Sequence, residues 1–197
     1  YNFLNSIAKM DYGIEFAYQQ GMTHIGIADY NNMFGCYDFE SKCNNLLICP
    51  VCKKVVGEKD KKCKHCNTDL KEHHPDKHPM KHTLGLTLTI QSEYDADKFF
   101  NLQFIAKSKK GYFSLVNLST IANTGNKTFP YVTMSDIEAN KEDILCLTGG
   151  LIGELFDLVI HQQEEWKVYL GKLEFLFGKN LWVEFTNHKI KEKKIFN

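Results

Sequence analysis

Arginine is missing from this chain: all 24 basic residues are lysine. Lysine offers a point charge rather than a planar fork. The chain therefore has no bidentate clamp for phosphate or carboxylate, and base-specific readout of nucleic acid is not expected of it. Net charge is missing too, because 24 acidic residues balance the lysines, which argues against a strongly basic, phosphate-seeking domain. Lys, Asn, Ile, Phe and Tyr are abundant together, as an AT-rich coding sequence would make them, and that is the plainer source of the missing arginine. No run of about 18 apolar residues occurs, so no membrane-spanning helix is expected. No signal peptide is visible, and the first residue is Tyr rather than Met, so the true N-terminus is expected upstream. An even cysteine count is also lacking. Seven cysteines argue against a disulfide framework and for a reducing compartment, hence the cytoplasm.

What is present suffices for one sizeable core and a small satellite, in 197 residues. Met10 to Gln20 reads as a helix, with Met10, Ile14 and Ala17 on one side and Gly21 as its C-cap. A short apolar strand over Thr23 to Ala28 ends in the polar Asp29-Tyr30-Asn31-Asn32, and a helix follows from Phe34 to Lys42. Polar groups at the C-terminal end of such a strand are where α/β sheets place ligand sites. Further on, Leu84 to Ile90 alternates Leu and Thr as a strand, and Leu102 to Ala106 is another. Gly111 to Ile121 looks helical, Ile144 to Leu147 extended, and Thr148-Gly149-Gly150 a tight turn. Helices over Leu151 to Ile160 and Trp166 to Phe177 precede a last strand, Leu181 to Phe185. The alternation predicts an α/β fold with a parallel sheet and right-handed crossovers. About five strands are too few to close a barrel, so the pattern is that of a partial (β/α) barrel.

Between these elements the texture changes. Residues 48–80 are rich in Lys and His, hold three of the four prolines and carry few large apolar side chains. This piece cannot share the main core and reads as an insertion between 1–47 and 81–197. Within it, Cys49-Pro50-Val51-Cys52 and Cys63-Lys64-His65-Cys66 form two Cys-x-x-Cys pairs separated by residues 53–62. Four thiolates on two such loops can converge tetrahedrally on one zinc ion, a closed structural site. Redox pairs and unrelated free thiols are the competing readings. Val55-Val56 would be a strand of a short zinc ribbon and Gly57 to Asp60 its turn. With so little apolar core, the ribbon is expected to draw its folding energy from the metal, on the order of 10 kcal/mol in model peptides. Cys36, Cys43 and Cys146 suit small core residues. His73, His74, His78 and His82 suit either a second metal or a solvated linker. Lys53, Lys54, Lys59, Lys61, Lys62 and Lys64 give the ribbon a basic rim that suits a solvated face, DNA or an acidic partner.

His24 to Gly35 resembles the "Ile-Thr-Asp-His-Gly-Asn-Met-Phe-Gly" signature of the PHP (polymerase and histidinol phosphatase) domain, in the form carried by bacterial DNA polymerase III alpha subunits. Four other stretches match that form in the same order. Tyr1 to Ser6 is similar to "Tyr-Ser-Leu-Leu-Asp-Gly", and Phe104 to Lys107 with Gly111-Tyr112 and Leu115-Val116 to "Leu-Leu-Ala-Lys … Gly-Tyr … Leu-Val". Leu147 to Glu154 is similar to "Leu-Ser-Gly-Cys-Leu-Ala-Gly-Glu", and Trp182 to His188 to "Tyr-Ile-Glu-Ile-Gln-Asn-His". The resemblance implies a site of His, Asp, Glu and Cys side chains that holds up to three divalent metals and hydrolyses phosphoesters. At the five positions matched by flanking motifs, this chain has Asn5, Tyr30, Thr87, Asn101 and Gly150 instead of Asp, His, Glu, His and Cys. Asp29 and His188 persist, though each better suits a capping or core-edge polar residue.

The expectation is therefore an architectural PHP domain of a replicative polymerase, inactive at its own site, with synthesis carried out by a palm domain elsewhere. Its partners would be the remainder of the polymerase polypeptide, DNA in the full protein, and a replisome subunit such as a proofreading exonuclease. Two other readings stand beside it, the first a rival and the second compatible with it. One is a metal-dependent phosphoesterase or 3'-5' exonuclease with a rebuilt metal site; the other is a zinc-ribbon interaction module on a silent scaffold.

Overall fold

Residues 9–124, 128–161 and 163–184 are described by the computed structural model. The chain divides into two compact units, Tyr1–Ile27 with Phe34–Thr83, and Ala28–Met33 with Leu84–Asn197.

In the first unit, α1 (Met10–Gln19) buries Ile14 and Ala17. It stops where Gly21 takes a left-handed backbone (φ 75°). The Gly21 amide then donates to the Tyr18 carbonyl and the Met22 amide to the Ala17 carbonyl, both at 3.0 Å. These paired bonds satisfy carbonyls the helix leaves open. β1 (His24–Tyr30) follows, its residues from Ala28 on belonging to the second unit, and α2 (Cys36–Asn44) buries Cys36, Phe39 and Cys43 and packs on α1. β2 (Leu47–Ile48) pairs antiparallel with both β3 (Val55–Val56) and β4 (Asp76–Lys77). Val55-Val56 is the strand expected of the ribbon, and the Gly57–Asp60 turn closes with the Asp60 amide on the Gly57 carbonyl at 3.1 Å.

The second unit holds most of a five-stranded sheet of order β1-β5-β6-β7-β8. β5 (Lys81–Gln91) and β6 (Phe99–Ala106) are antiparallel neighbours, with Leu88 opposite Leu102 and Thr89 opposite Asn101. The Leu/Thr alternation sets their two faces: Leu86, Leu88 and Ile90 enter the core, and Thr87 and Thr89 face the other way. α3 (Lys109–Asn123) starts on Ser108, whose hydroxyl accepts from the Lys110 and Gly111 amides, and packs on β6 and β7 (Ile144–Leu147). α4 (Met134–Ala139) carries a reciprocal cap, Thr133 with Asp136. α5 (Glu154–Ile160) and α6 (Glu165–Phe177) then lead to β8 (Leu181–Trp182).

The α/β class and its parallel strands are present, since β7 and β8 run parallel through a helical crossover. One detail of the expectation is corrected. The sheet is not parallel throughout, because β5–β6 and β6–β7 are antiparallel. For β5–β6 the reason is chain length: residues 92–98 link the two strands, and a crossover needs a dozen residues or more; β7 returns antiparallel to β6 although α3 and α4 lie between them. Leu102, Phe104, Leu115, Leu118, Ile144 and Leu173, each at most 1% exposed, form the centre of the core.

Candidate metal centre and the cluster at the strand ends

The two Cys-x-x-Cys loops close by the same pair of backbone bonds. In the first, the Lys53 amide donates to the Cys49 carbonyl (3.0 Å) and the Cys49 amide to the Lys54 carbonyl (2.8 Å). In the second, the Asn67 amide donates to the Cys63 carbonyl (2.8 Å) and the Cys63 amide to the Thr68 carbonyl (2.9 Å). The residue after each second cysteine is left-handed, Lys53 at φ 57° and Asn67 at φ 59°. This geometry turns all four thiols toward one point. Sγ of Cys49 lies 3.6 Å from that of Cys66, and Cys52 lies 3.6 Å from Cys63. The four sulfurs lie within 4.8 Å of one another. A disulfide needs about 2.0 Å, whereas sulfurs about 2.3 Å from a shared tetrahedral ion stand about 3.8 Å apart. The spacing is that of a metal site.

Electrostatics agree. The Thr68 hydroxyl, 3.0 Å from Cys66 Sγ, and then its amide hold the Cys66 thiol down to about 6. The Cys52 amide likewise lowers Cys49. At Cys52 the Lys54 amide pulls down, but desolvation and the neighbouring thiols outweigh it and push the group up to about 12. Four thiols this close cannot all shed protons without a cation among them. Cys49 and Cys63 are buried with Val56 and Leu70 in the ribbon's own small core, and Cys66 is exposed. Among the described residues this is the group of His, Cys, Asp and Glu side chains arranged to hold a metal. The four linker histidines do not join one. His78 packs edge-on against Tyr18 and His82 against Phe39, while His73 and His74 are exposed. Cys36, Cys43 and Cys146 are buried, and burial pushes the Cys43 thiol up to about 11.

The second set of residues gathers where β1 and β5 end and β6 begins, inside the second unit. Tyr30 Oη donates to Asn101 Oδ1 at 3.0 Å and lies 2.7 Å from Thr89 Oγ1. Thr89 Oγ1 in turn accepts from Asn31 Nδ2 at 2.9 Å, and the Thr89 amide donates to Asn31 Oδ1 at 2.8 Å. Counting protons gives the chain a single direction: Asn31 to Thr89 to Tyr30 to Asn101. Asn123 Nδ2 donates to the Asn31 carbonyl at 2.6 Å and fixes the left-handed turn at Asn31 (φ 57°). Thr87 meets the cluster through its backbone, its carbonyl accepting from the Asn31 amide at 2.7 Å. The side chain inside the cluster is that of Thr89, one pleat further along. Asp29 is 1% exposed. Gly149 (φ 79°) and Gly150 (φ 53°) form the turn after β7. Gly149 presses so closely on β6 that an added Cβ would stand 2.0 Å from the Asn101 carbonyl oxygen. Asn5 and His188 lie outside the described residues.

Sequence reasoning passed over Thr89 and Asn123, and also a buried acid. Glu154, 2% exposed, accepts from the Ser92 hydroxyl. Burial raises its carboxyl above the usual glutamate range, and the Ser92 bond opposes that rise.

A family model for the PHP domain matches residues 1–188. Among curated proteins, the chain is similar to the DNA polymerase III subunit alpha of Rickettsia conorii, 26% identical over 98% of this chain and 14% of that protein. The subunit alpha of Borreliella burgdorferi is 24% identical over 100% of this chain and 15% of its own length. That of Aquifex aeolicus is 24% identical over 100% of this chain and 16% of its own. The chain thus spans 14 to 16% of the length of these relatives. Among the described residues, no helix is long and apolar enough to cross a membrane.

Proposed function

Because this chain belongs to the PHP domain family, we propose that it is the PHP segment of a DNA polymerase III alpha subunit, catalytically silent at its own strand-end site and carrying one structural zinc. Similarity to alpha subunits along nearly the whole chain supports the first part. The segment then works in the cytoplasm as an architectural piece of a DNA-directed DNA polymerase. Its partners are the remainder of the polymerase polypeptide and a replisome subunit such as a proofreading exonuclease, with DNA engaged by the full protein. Residues 48–80 are a ribbon inserted into a PHP-like body of 1–47 and 81–197.

One observation carries the silent-site reading: Tyr30, standing where the family has a metal-binding His, has its hydroxyl engaged by Thr89 and Asn101. A multi-metal cluster packs several positive charges within about 4 Å, and anionic and imidazole ligands must offset the repulsion. Tyr30, Thr87, Thr89, Asn101 and Gly150 offer no carboxylate, thiolate or imidazole. Neutral hydroxyls and amides bonded to one another do not fit such a cluster. The four thiols of the ribbon do fit a metal. Zinc suits a closed tetrahedral set of four sulfurs, and when bound it supplies structure, with no open position for water.

Two measurements test the proposal. Elemental analysis of the purified protein should give about one zinc per chain, lost when Cys49 and Cys63 are both replaced by Ser. The complete protein, its polymerase site disabled and manganese and zinc supplied, should not hydrolyse a chromogenic phosphoester. Turnover abolished by Asp29→Ala with His188→Ala would overturn the silent-site reading.

A further inference from the structure

We infer that the lysine rim of the ribbon is a sequence-independent contact for the phosphate backbone of DNA, held in shape by the four-cysteine site. The inference rests on the proposal that the four cysteines hold a metal and that the chain belongs to a polymerase.

The charge is concentrated. Residues 53–64 carry six lysines against two acids, in a chain whose net charge is zero. Two of the six are engaged: Lys53 Nζ lies 3.1 Å from Asp76, and Lys64 Nζ lies 3.1 Å from Asp60. Lys54, Lys59, Lys61 and Lys62 are exposed, and none of them has an ion-pair partner among the described residues. The nearby Asp60 is already occupied, since it accepts from the Gly57 amide at 2.9 Å as well as pairing with Lys64.

The lysine backbones are tied to the cysteine loops. The Lys54 carbonyl accepts from the Cys49 amide, the Lys61 carbonyl accepts from the Leu70 amide at 3.0 Å, and Lys62 bridges to Asp69. Closing the set of four thiols therefore fixes the backbone from which Lys54, Lys61 and Lys62 project. Preorganised charges bind a polyanion with less ordering cost than the same lysines on a loose strand. Lysine ammonium groups suit phosphate oxygens as point charges, and with no arginine the contact reads no bases. Four free lysines placed on phosphates predict a log–log salt slope of about −3.6 on duplex DNA and about −2.8 on a single strand. Between 50 and 200 mM salt that is roughly a 150-fold loss of affinity on duplex from this rim.

The test compares the intact protein with its K54Q/K59Q/K61Q/K62Q variant, using fluorescein-labelled mixed-sequence duplex and single-stranded oligonucleotides over a salt series. Zinc content is measured on both. The variant should keep its zinc, bind both oligonucleotides more weakly at 50 mM salt, and lose about 3 to 4 from the steepness of the duplex slope. Replacing one oligonucleotide sequence by another should change nothing. An unchanged slope in a fully zinc-loaded variant overturns the inference. So does a variant that loses affinity for polyglutamate but not for DNA, which would assign the rim to an acidic protein surface. Wild-type protein without zinc would instead refute the metal reading, and the slope would still judge the DNA contact.

Discussion

Replacing Tyr30 by Phe removes one oxygen atom from the strand-end cluster and keeps the ring. In the wild type that oxygen donates to Asn101 and receives the Thr89 hydroxyl proton. After the change, Thr89 can turn its proton to Asn101 Oδ1, which is 3.4 Å away, so one weak bond replaces two good ones. A net hydrogen bond contributes about 0.5–1.5 kcal/mol, and the loss here should be about 1 kcal/mol. Thr89→Val also removes the acceptor of Asn31 Nδ2, and Asn31 is only 7% exposed. That change should cost about 1–3 kcal/mol through the unsatisfied amide. The two changes share a bond, so the double variant should fall short of additivity by about 0.5–1 kcal/mol. Urea unfolding of the 197-residue chain measures this as a shift in midpoint of about 0.5 M at unchanged m. Tyr30→His should behave like Phe, because one imidazole among neutral groups gathers no metal cluster. Full additivity, or a Tyr30→Phe protein as stable as wild type, would refute the idea that this hydrogen-bond chain ties β1, β5 and β6 together.

Three further outcomes are expected. Gly149→Ala combines a left-handed φ with a Cβ 2.0 Å from the Asn101 carbonyl, so it should destabilise by about 3 kcal/mol or more; thermal melting would read this as a loss of several degrees. Glu154 binds its proton more tightly folded than unfolded, because burial raises it. Its favourable contribution is therefore fully present below the ordinary glutamate value and is lost as pH rises through the folded value. Glu154→Gln should grow more stable relative to wild type across that rise, and parallel pH–stability curves for the two proteins would contradict the assignment. Chelation should open amides of residues 49–70 to hydrogen exchange while β5 to β7 stay protected; uniform loss of protection would mean that the ribbon and the sheet fold as one.

Much of this was legible from spacing alone. The Cys-x-x-Cys loops announce their geometry because two thiols on so short a turn have few ways to point. The end of α1 was legible because Gly21 is the residue that accepts a left-handed φ there cheaply. Other features depend on what lies across the sheet. That β5 and β6 form a hairpin rather than two arms of a crossover follows from the short 92–98 link, which reads in sequence like any polar loop. Thr89 was invisible as a site residue because Thr87 and Thr89 share one face of β5, and only the register opposite Asn101 selects between them. α4 was missed although Thr133-x-x-Asp136 is a capping pattern, because six residues are too few to show a helical period.

The two cysteine loops are one backbone drawn twice, bond for bond, and they differ in what occupies the left-handed corner. The second loop has Asn67, a residue that visits that region at little cost; the first has Lys53, which bears the steric penalty of about 1 kcal/mol that L side chains meet there. A designer seeking only a sturdy ribbon would write Asn or Gly at 53. The ribbon is thus built below its own attainable stability at one corner, and the same corner is where a lysine points outward.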